Sequence, residues 1–189
     1  MEKQMHEVIT IYAEATPNPA SMKFVCNKML LPNDSADFRT ADSTDDAPLA
    51  KALFELPFVN GVFIMNNFVS ITKNETYEWF DLIPDVRNFL QEWIESGKDI
   101  VHPLKQLTPE QETEIERKIR QLLEDHVRPA VEMDGGAIDF KSFQEGIVTV
   151  TLKGSCSGCP SSTMTLKAGI ENLLRRMVPE VVAVEAEAG

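Results

Sequence analysis

A loop with two cysteines joins a predicted strand to a predicted helix, and it constrains the fold more than any other stretch. The loop reads Cys156-Ser157-Gly158-Cys159-Pro160, and the chain has only 3 cysteines. The β-branched run at 147–152 predicts the strand, and Pro160 suits the first position of a helix that ends near Met177. Cys159 is then the N-cap residue, where unpaired N–H groups and the positive helix end favour a thiolate. Paired thiolates suit a metal, a cluster or dithiol exchange.

Composition narrows the class of partner. The 189 residues allow two small domains, and 43% apolar residues are enough for a core. A net charge of -12 argues against nucleic acid or an anionic membrane as the main partner. No apolar run is long enough to predict a transmembrane helix. The first seven residues resemble neither a secretory signal nor a transit peptide, so we expect a cytoplasmic location.

The N-terminal half is predicted to form a sheet with two helices. Its predicted elements are strands at 8–13 and 22–26, a polar loop at 32–48 with at most a short strand near Phe38, a helix at 48–54, a hairpin of 59–65 and 68–73 around Asn66-Asn67, and a helix from Pro84 to Gly97.

The C-terminal half is predicted to carry the cysteine loop. Its predicted elements are a capping box at 108–111, a helix to Val127 that Pro129 ends or kinks, a turn at Asp134-Gly135-Gly136, a hairpin with Gly146 at its turn, the helix after Pro160, and an edge strand at 181–184. The expected fold class is therefore α+β, with two small domains, each a short, mostly antiparallel sheet packed with helices. The expected limits are 1–98 and 108–189, with a linker at 99–107.

Counting ligands leaves several interpretations of the cysteine pair. A zinc ion or an iron–sulfur cluster usually takes four protein ligands, and this loop supplies two. Cys26 lies in the other half, on a predicted strand, where a buried small residue is the expected role. Two loops across a twofold axis would provide four thiolates. A binding module that holds zinc between two such loops is the runner-up to a cluster carrier. A dithiol oxidoreductase is the third interpretation, although a hairpin, not a β–α–β unit, precedes the loop. A purely structural pair is the remaining interpretation.

Other polar residues give no second site. Lys153 and Lys167 lie near the loop in sequence and could offset its negative charge. The acidic run at 42–46 lacks a calcium-loop pattern and is expected to be solvated. No Ser/His/Asp arrangement, phosphate loop or carboxylate pair stands out, so we do not expect an enzyme. The histidines do not have the spacing of a metal-ligand set. They are His6, His102 and His126.

Several blocks of the sequence resemble the Nfu family. In the C-terminal half these blocks are VRPAVEMDGG at 127–136, GSCSGCPSS at 154–162, TLK at 165–167 and GIE at 169–171. They resemble the NifU-like C-terminal domain. In the N-terminal half the blocks TPNPASMKF at 16–24, PLAKALF at 48–54 and VSITK at 69–73 resemble the N-terminal domain of Nfu scaffold proteins.

The resemblance implies an iron–sulfur cluster scaffold or carrier. It implies that Cys156 and Cys159 bind a [4Fe-4S] cluster that bridges the two subunits of a homodimer, with [2Fe-2S] as the less favoured cluster. The implied partners are apo iron–sulfur proteins that receive the cluster and an upstream cluster-assembly scaffold. For Asp134-Gly135-Gly136 we expect a turn, with close backbone approach to the cluster as the alternative. Partner recognition is the only role suggested for the N-terminal domain.

Overall fold

Two β-sheets with helices form the fold. The computed structural model describes residues 8–102, 112–157 and 160–189, with the backbone alone for 160–162. The elements in chain order are β1 (Ile11–Ala15), β2 (Ser21–Cys26), β3 (Leu31–Phe38), α1 (Pro48–Phe54), β4 (Val59–Asn66), β5 (Phe68–Lys73), α2 (Trp79–Glu95), α3 (Glu114–Leu122), α4 (Arg128–Met133), β6 (Gly136–Gln144), β7 (Ile147–Gly154), α5 (Pro160–Met177) and β8 (Ala183–Ala188). The predicted α+β fold class is confirmed.

The N-terminal sheet has five antiparallel strands in the order β1-β2-β5-β4-β3. Side chains alternate between the two faces of each strand, and those on one face pack in a core with α1 and α2. Phe24, Ile64 and Ile71 belong to this set, and each is almost completely buried. Leu53 of α1 and Leu90 of α2 are buried in the same core. The helices therefore cover one face of this sheet.

The C-terminal sheet has the order β6-β7-β8. The hairpin of β6 and β7 is antiparallel, as predicted, and its turn places Glu145 at φ 51° and Gly146 at φ 82°. The predicted edge strand at 181–184 begins later, at Ala183, and it pairs with β7 in parallel. A parallel pair needs a crossover, and α5 provides it. The cysteine loop therefore lies inside a β–α–β unit, which the sequence analysis did not predict.

Three predicted element limits in the N-terminal half are wrong. Strand β1 was predicted at 8–13 and runs over Ile11–Ala15. The polar segment expected to be a loop contains the eight-residue strand β3. This strand lies at the sheet edge, where Asn33 is exposed to solvent while Ala36 and Phe38 enter the core. Helix α2 begins at Trp79, before Pro84. Buried Leu82 and Val86 lie on either side of Pro84, so apolar packing stabilises helix on both sides of the proline.

The segment before the second hairpin is one interrupted helix. The capping box predicted at 108–111 lies outside the described residues. Helix α3 is capped by Thr113, whose Oγ1 accepts from the Glu116 N–H at 3.3 Å while the Glu116 carboxylate accepts from the Thr113 N–H at 2.8 Å. A π-helical turn, Leu123–Val127, then precedes α4. Pro129 has no N–H to continue the α-helical pattern, which accounts for the interruption.

The junction between the halves is described only in part. Helix α2 ends before Gly97, which has φ 69° and stops the helix as predicted. The chain then continues to His102, whose N–H donates to the Asp46 carbonyl at 2.7 Å. Residues 103–111 lie outside the described part, so the domain limits remain a prediction. None of the helices in the described ranges combines the length and apolar character that a membrane span needs.

The cap at Thr113 can be tested against Thr40, an exposed threonine before a short helical turn whose side chain makes no capping hydrogen bond. Thr113→Ala should lower the free energy of unfolding by about 1 kcal/mol, because it removes the acceptor for the Glu116 N–H. Thr40→Ala is the matched control and should lower this free energy by less, because no capping bond is lost. Urea unfolding followed by circular dichroism measures both changes, and an equal or larger loss for Thr40→Ala would contradict the assignment.

Candidate functional site

The first half of the cysteine loop is fixed by hydrogen bonds to its own backbone. Strand β7 ends at Gly154, which has φ 65°. The Gly154 carbonyl accepts from the Ser157 N–H at 3.1 Å and from the Ser157 hydroxyl at 2.8 Å. The Thr163 hydroxyl of α5 donates to the Cys156 carbonyl at 3.3 Å. Cys156 is thereby held with 6% of its surface exposed, whereas Cys159 lies outside the described residues.

Gly136 leaves the space that the Cys156 thiol occupies. A Cβ atom at position 136 would lie 2.7 Å from Cys156 Sγ and 2.7 Å from the Lys153 carbonyl oxygen. Both distances are far below van der Waals contact, so no side chain fits there. The start of β6 is therefore the wall against which the thiol packs.

Asp134 and Gly135 form the predicted turn, and Gly136 begins β6. Gly135 has φ 79°, a conformation that glycine adopts without steric cost. The Ser155 hydroxyl donates to the Asp134 carbonyl, and the Ser155 N–H donates to the Gly135 carbonyl at 3.4 Å. The turn thus joins the cysteine loop directly, and backbone closely approaches the thiol at Gly136.

A cavity of about 370 Å³ opens beside Cys156. Its lining combines both halves of the chain and comprises Pro17, Ala130, Val131, Asp134, Ser155, Cys156, Thr165 and Leu166. Most of the lining is apolar, which limits competition from water for a soft ligand. Thiolate sulfur is the protein donor that zinc and iron–sulfur clusters take. Cys156 in this setting fits a thiolate-bound metal or cluster, with further thiolates required to complete it.

One of the two lysines that were expected to offset the charge of the loop is already paired. Lys153 Nζ lies 2.5 Å from Asp139 Oδ2, so the charge that was expected to offset the loop has a carboxylate partner. On β3, burial raises the pKa of the Asp37 carboxyl above its ordinary value. The Arg39 charge and a hydrogen bond from the Gly154 N–H oppose that rise. Asp37 thus links β3 to the end of β7.

Cys26, His102 and His126 are not among the residues that line the cavity beside Cys156. Cys26 is 2% exposed in the core of the N-terminal sheet, which confirms the expected buried role. His102 and His126 are exposed, and His6 lies outside the described residues. Within the described ranges, no group of three or more His, Cys, Asp and Glu side chains is arranged to hold a metal ion.

Sequence reasoning missed the residues that the N-terminal half brings to this region. Lys23 Nζ donates to the Glu132 carbonyl at 2.9 Å, and Ser70 Oγ donates to the Gly135 carbonyl at 2.7 Å. All six residues of β2 are buried, including Lys23. A strand buried on both faces needs a cover on each and reads in sequence as an apolar run. Lys23 interrupts that run in β2, so the sequence did not signal the cover.

Comparisons with known proteins identify both halves of the chain. The family model described as "Scaffold protein Nfu/NifU N terminal" matches residues 11–97, and the model described as "NifU-like domain" matches residues 119–185. These are the two domain types that the sequence blocks resembled. The matches lie on either side of the junction between the halves.

Curated relatives match along nearly the whole chain. The human "NFU1 iron-sulfur cluster scaffold homolog, mitochondrial" is 39% identical over 179 residues, which cover 93% of this chain and 70% of that protein. "NifU-like protein 5, mitochondrial" of Arabidopsis thaliana is 38% identical over 193 residues, which cover 97% of this chain and 70% of that protein. A solution NMR structure of a NifU-like protein from Saccharomyces cerevisiae is 23% identical and covers 53% of this chain and 90% of its own, with a TM-score of 0.46.

The cytoplasmic location expected from the first residues is wrong by this comparison. Both curated relatives are named as mitochondrial proteins. The chain matches 70% of the length of each.

Substitution of the two glycines Gly136 and Gly169 tests the wall behind the thiol. Gly136→Ala should lower the free energy of unfolding by about 1–3 kcal/mol, because its Cβ overlaps Cys156 Sγ and a backbone carbonyl. In Gly169→Ala, the matched control, nothing lies within 4 Å of the new Cβ. This control should be neutral or stabilising by up to about 1 kcal/mol, since the site is helical. Urea denaturation gives both values, and equal effects would rule out the steric account.

Proposed function

The chain belongs to the Nfu/NifU family of scaffold proteins, and from that premise we propose that it carries an iron–sulfur cluster as cargo. The cluster is bound by Cys156 and Cys159 and is passed to apo iron–sulfur proteins. An upstream cluster-assembly scaffold supplies it. The two family matches also support the proposed division into domains at 1–98 and 108–189, with a linker at 99–107.

The observation that carries the proposal is the setting of Cys156. Its thiol lies against bare backbone at Gly136 and beside a largely apolar cavity, between a strand end and the start of α5. A loop of this kind presents sulfur to a ligand that is larger than a single water. The second thiol, Cys159, comes one residue before α5, where the N-terminal end of the helix stabilises a thiolate.

The number of thiolates makes the site half of an interface. One loop provides two sulfurs, and a cluster takes four protein ligands. Two copies related by a twofold axis complete the set, so we propose a homodimer in the cluster-loaded form. The cluster is [4Fe-4S], as the resemblance implies, with [2Fe-2S] less favoured.

Exposed methionines near the cavity support a contact with a second protein. Met133 is 74% exposed and precedes Asp134 of the cavity lining, and Met164 is 73% exposed and precedes Thr165. Flexible apolar side chains of this type suit surfaces that bind more than one partner. A carrier needs such a surface, because it meets a second copy, a donor and recipients at the same loop.

A dithiol oxidoreductase is the second candidate, and the β–α–β unit around the loop favours it. The unit runs from β7 through α5 to the parallel strand β8. Insulin reduction separates this candidate from a carrier, since turnover of insulin requires a dithiol that cycles. We propose a non-enzymatic role because the family is one of scaffolds, and we expect no such turnover.

Cluster loading tests the function directly. Anaerobic reconstitution with iron and sulfide should give about four irons per dimer and a broad absorption band at about 400 nm, as four-thiolate clusters do. Cys156→Ser should abolish most of the cluster yield, because it removes one ligand from each loop. Cys26→Ser is the matched control and should keep the yield, since Cys26 lies in the other core.

Two results would contradict this function. One is an unchanged cluster yield in Cys156→Ser. The other is zinc, with no acid-labile sulfide, in protein purified without oxygen, because that result identifies a structural metal in place of cargo.

A further inference from the structure

The N-terminal sheet has a second buried face that its own helices do not cover. Alternation along β2 sends Phe24 toward α1 and α2, and it sends Lys23 and Val25 the opposite way. The same alternation on β5 turns Ser70 away from the helices. Lys23 and Ser70 are nevertheless buried, with 9% and 2% of their surfaces exposed. Their cover is the C-terminal half of the chain.

Lys23 contacts the end of α4. Its Nζ donates to the Glu132 carbonyl at 2.9 Å and lies 3.3 Å from the Met133 carbonyl oxygen. The ammonium also lies 4.6 Å from the centre of the Phe68 ring and 3.6 Å from a carboxylate oxygen of Glu14. A buried ammonium needs several partners of this kind to offset its lost hydration. Two of them are backbone carbonyls just before the Asp134-Gly135-Gly136 turn.

Ser70 contacts the turn itself. Its hydroxyl donates to the Gly135 carbonyl at 2.7 Å. A Cβ atom on Gly135 would lie 2.7 Å from Ser70 Oγ, so no side chain fits between the turn and this serine. Next to this contact, Asn18 Nδ2 donates to the Ser155 carbonyl at 3.4 Å. The N-terminal half therefore bonds to the turn and to the residue before Cys156.

Apolar contacts complete the same interface. Val25, Phe63, Met65 and Phe68 of the N-terminal sheet form one buried cluster with Ala137 of β6. A Cβ atom on Gly154 would lie 2.9 Å from the Phe63 ring. The sheet face thus packs on both ends of the cysteine site, at the start of β6 and at the end of β7.

We propose that the N-terminal half positions the cysteine loop, with Lys23 and Ser70 as its positioning residues. They hold the carbonyls of residues 132, 133 and 135, and the chain that follows places Gly136 against Cys156 Sγ. The purpose of this arrangement rests on the proposed function, because a preorganised thiol costs less to order when the cluster binds. On this face, the N-terminal domain therefore serves to position the cysteine loop and not to recognise a partner.

The test measures the reactivity of the Cys156 thiol in reduced protein without a cluster. The variant Lys23→Met/Ser70→Ala removes the polar contacts, and Lys51→Met/Ser43→Ala is the matched control. Lys51 and Ser43 are exposed in the same half of the chain. Iodoacetamide labelling with tandem mass spectrometry gives separate rates for Cys156 and Cys26. Cys26 is the internal control, since it is buried in the helix-covered core.

We expect labelling of Cys156 to become about tenfold faster in the double variant, the factor that corresponds to 1.4 kcal/mol. The rate at Cys26 and both rates in the control variant should not change. An unchanged rate at Cys156 overturns the proposal. If the double variant does not fold, Ser70→Ala alone gives the same comparison. A parallel increase at both cysteines in that single variant also overturns it, because the effect is then general destabilisation.

The loaded protein adds a readout specific to positioning. The visible circular dichroism of the bound cluster should change in Lys23→Met/Ser70→Ala and stay the same in the control, since it reports the asymmetry of the ligand set. Failure of the proposed function is seen separately, as an unchanged cluster yield in Cys156→Ser. The labelling rates of the cluster-free protein decide the positioning proposal in either case.

Discussion

The close approach of Ser70 and Cys156 to the backbone of Gly135 and Gly136 is the constraint on which the rest of this structure depends. A side chain at 135 would overlap Ser70 of the N-terminal sheet, and a side chain at 136 would overlap the Cys156 thiol. The two glycines therefore join the sheet, the turn and the cysteine loop within a few ångströms. The cysteine site and the interface between the two halves therefore depend on the same close contacts. A substitution at either glycine should disturb both.

Much of the fold could be predicted because its signals are local. The helix at 48–54 has proline at its first position, and the strands on either side of Asn66-Asn67 are rich in apolar residues. The helix that starts at Pro160 follows the same rule. For the site, the spacing of Cys156 and Cys159 and the small residues between them were enough to predict thiolate chemistry, because these features are contiguous in the chain.

What could not be predicted depends on contacts between distant residues. The polar sequence of β3 gives little strand signal, and only its pairing with β4 makes it a strand. Strand β8 could be placed at an edge, but its parallel direction follows from the crossover of α5 over the sheet. The role of Lys23 was hidden because the carbonyl that it contacts is 109 residues away. A lysine in a strand suggests a solvated face until the covering element is known.

The central claim is that Cys156 and Cys159 form one half of a cluster site shared by two copies of this chain. Native mass spectrometry of the anaerobically loaded protein measures copies, irons and sulfides in a single species. The account predicts a dimer that carries one cluster with four irons and four sulfides. A monomer that carries a complete cluster would contradict it.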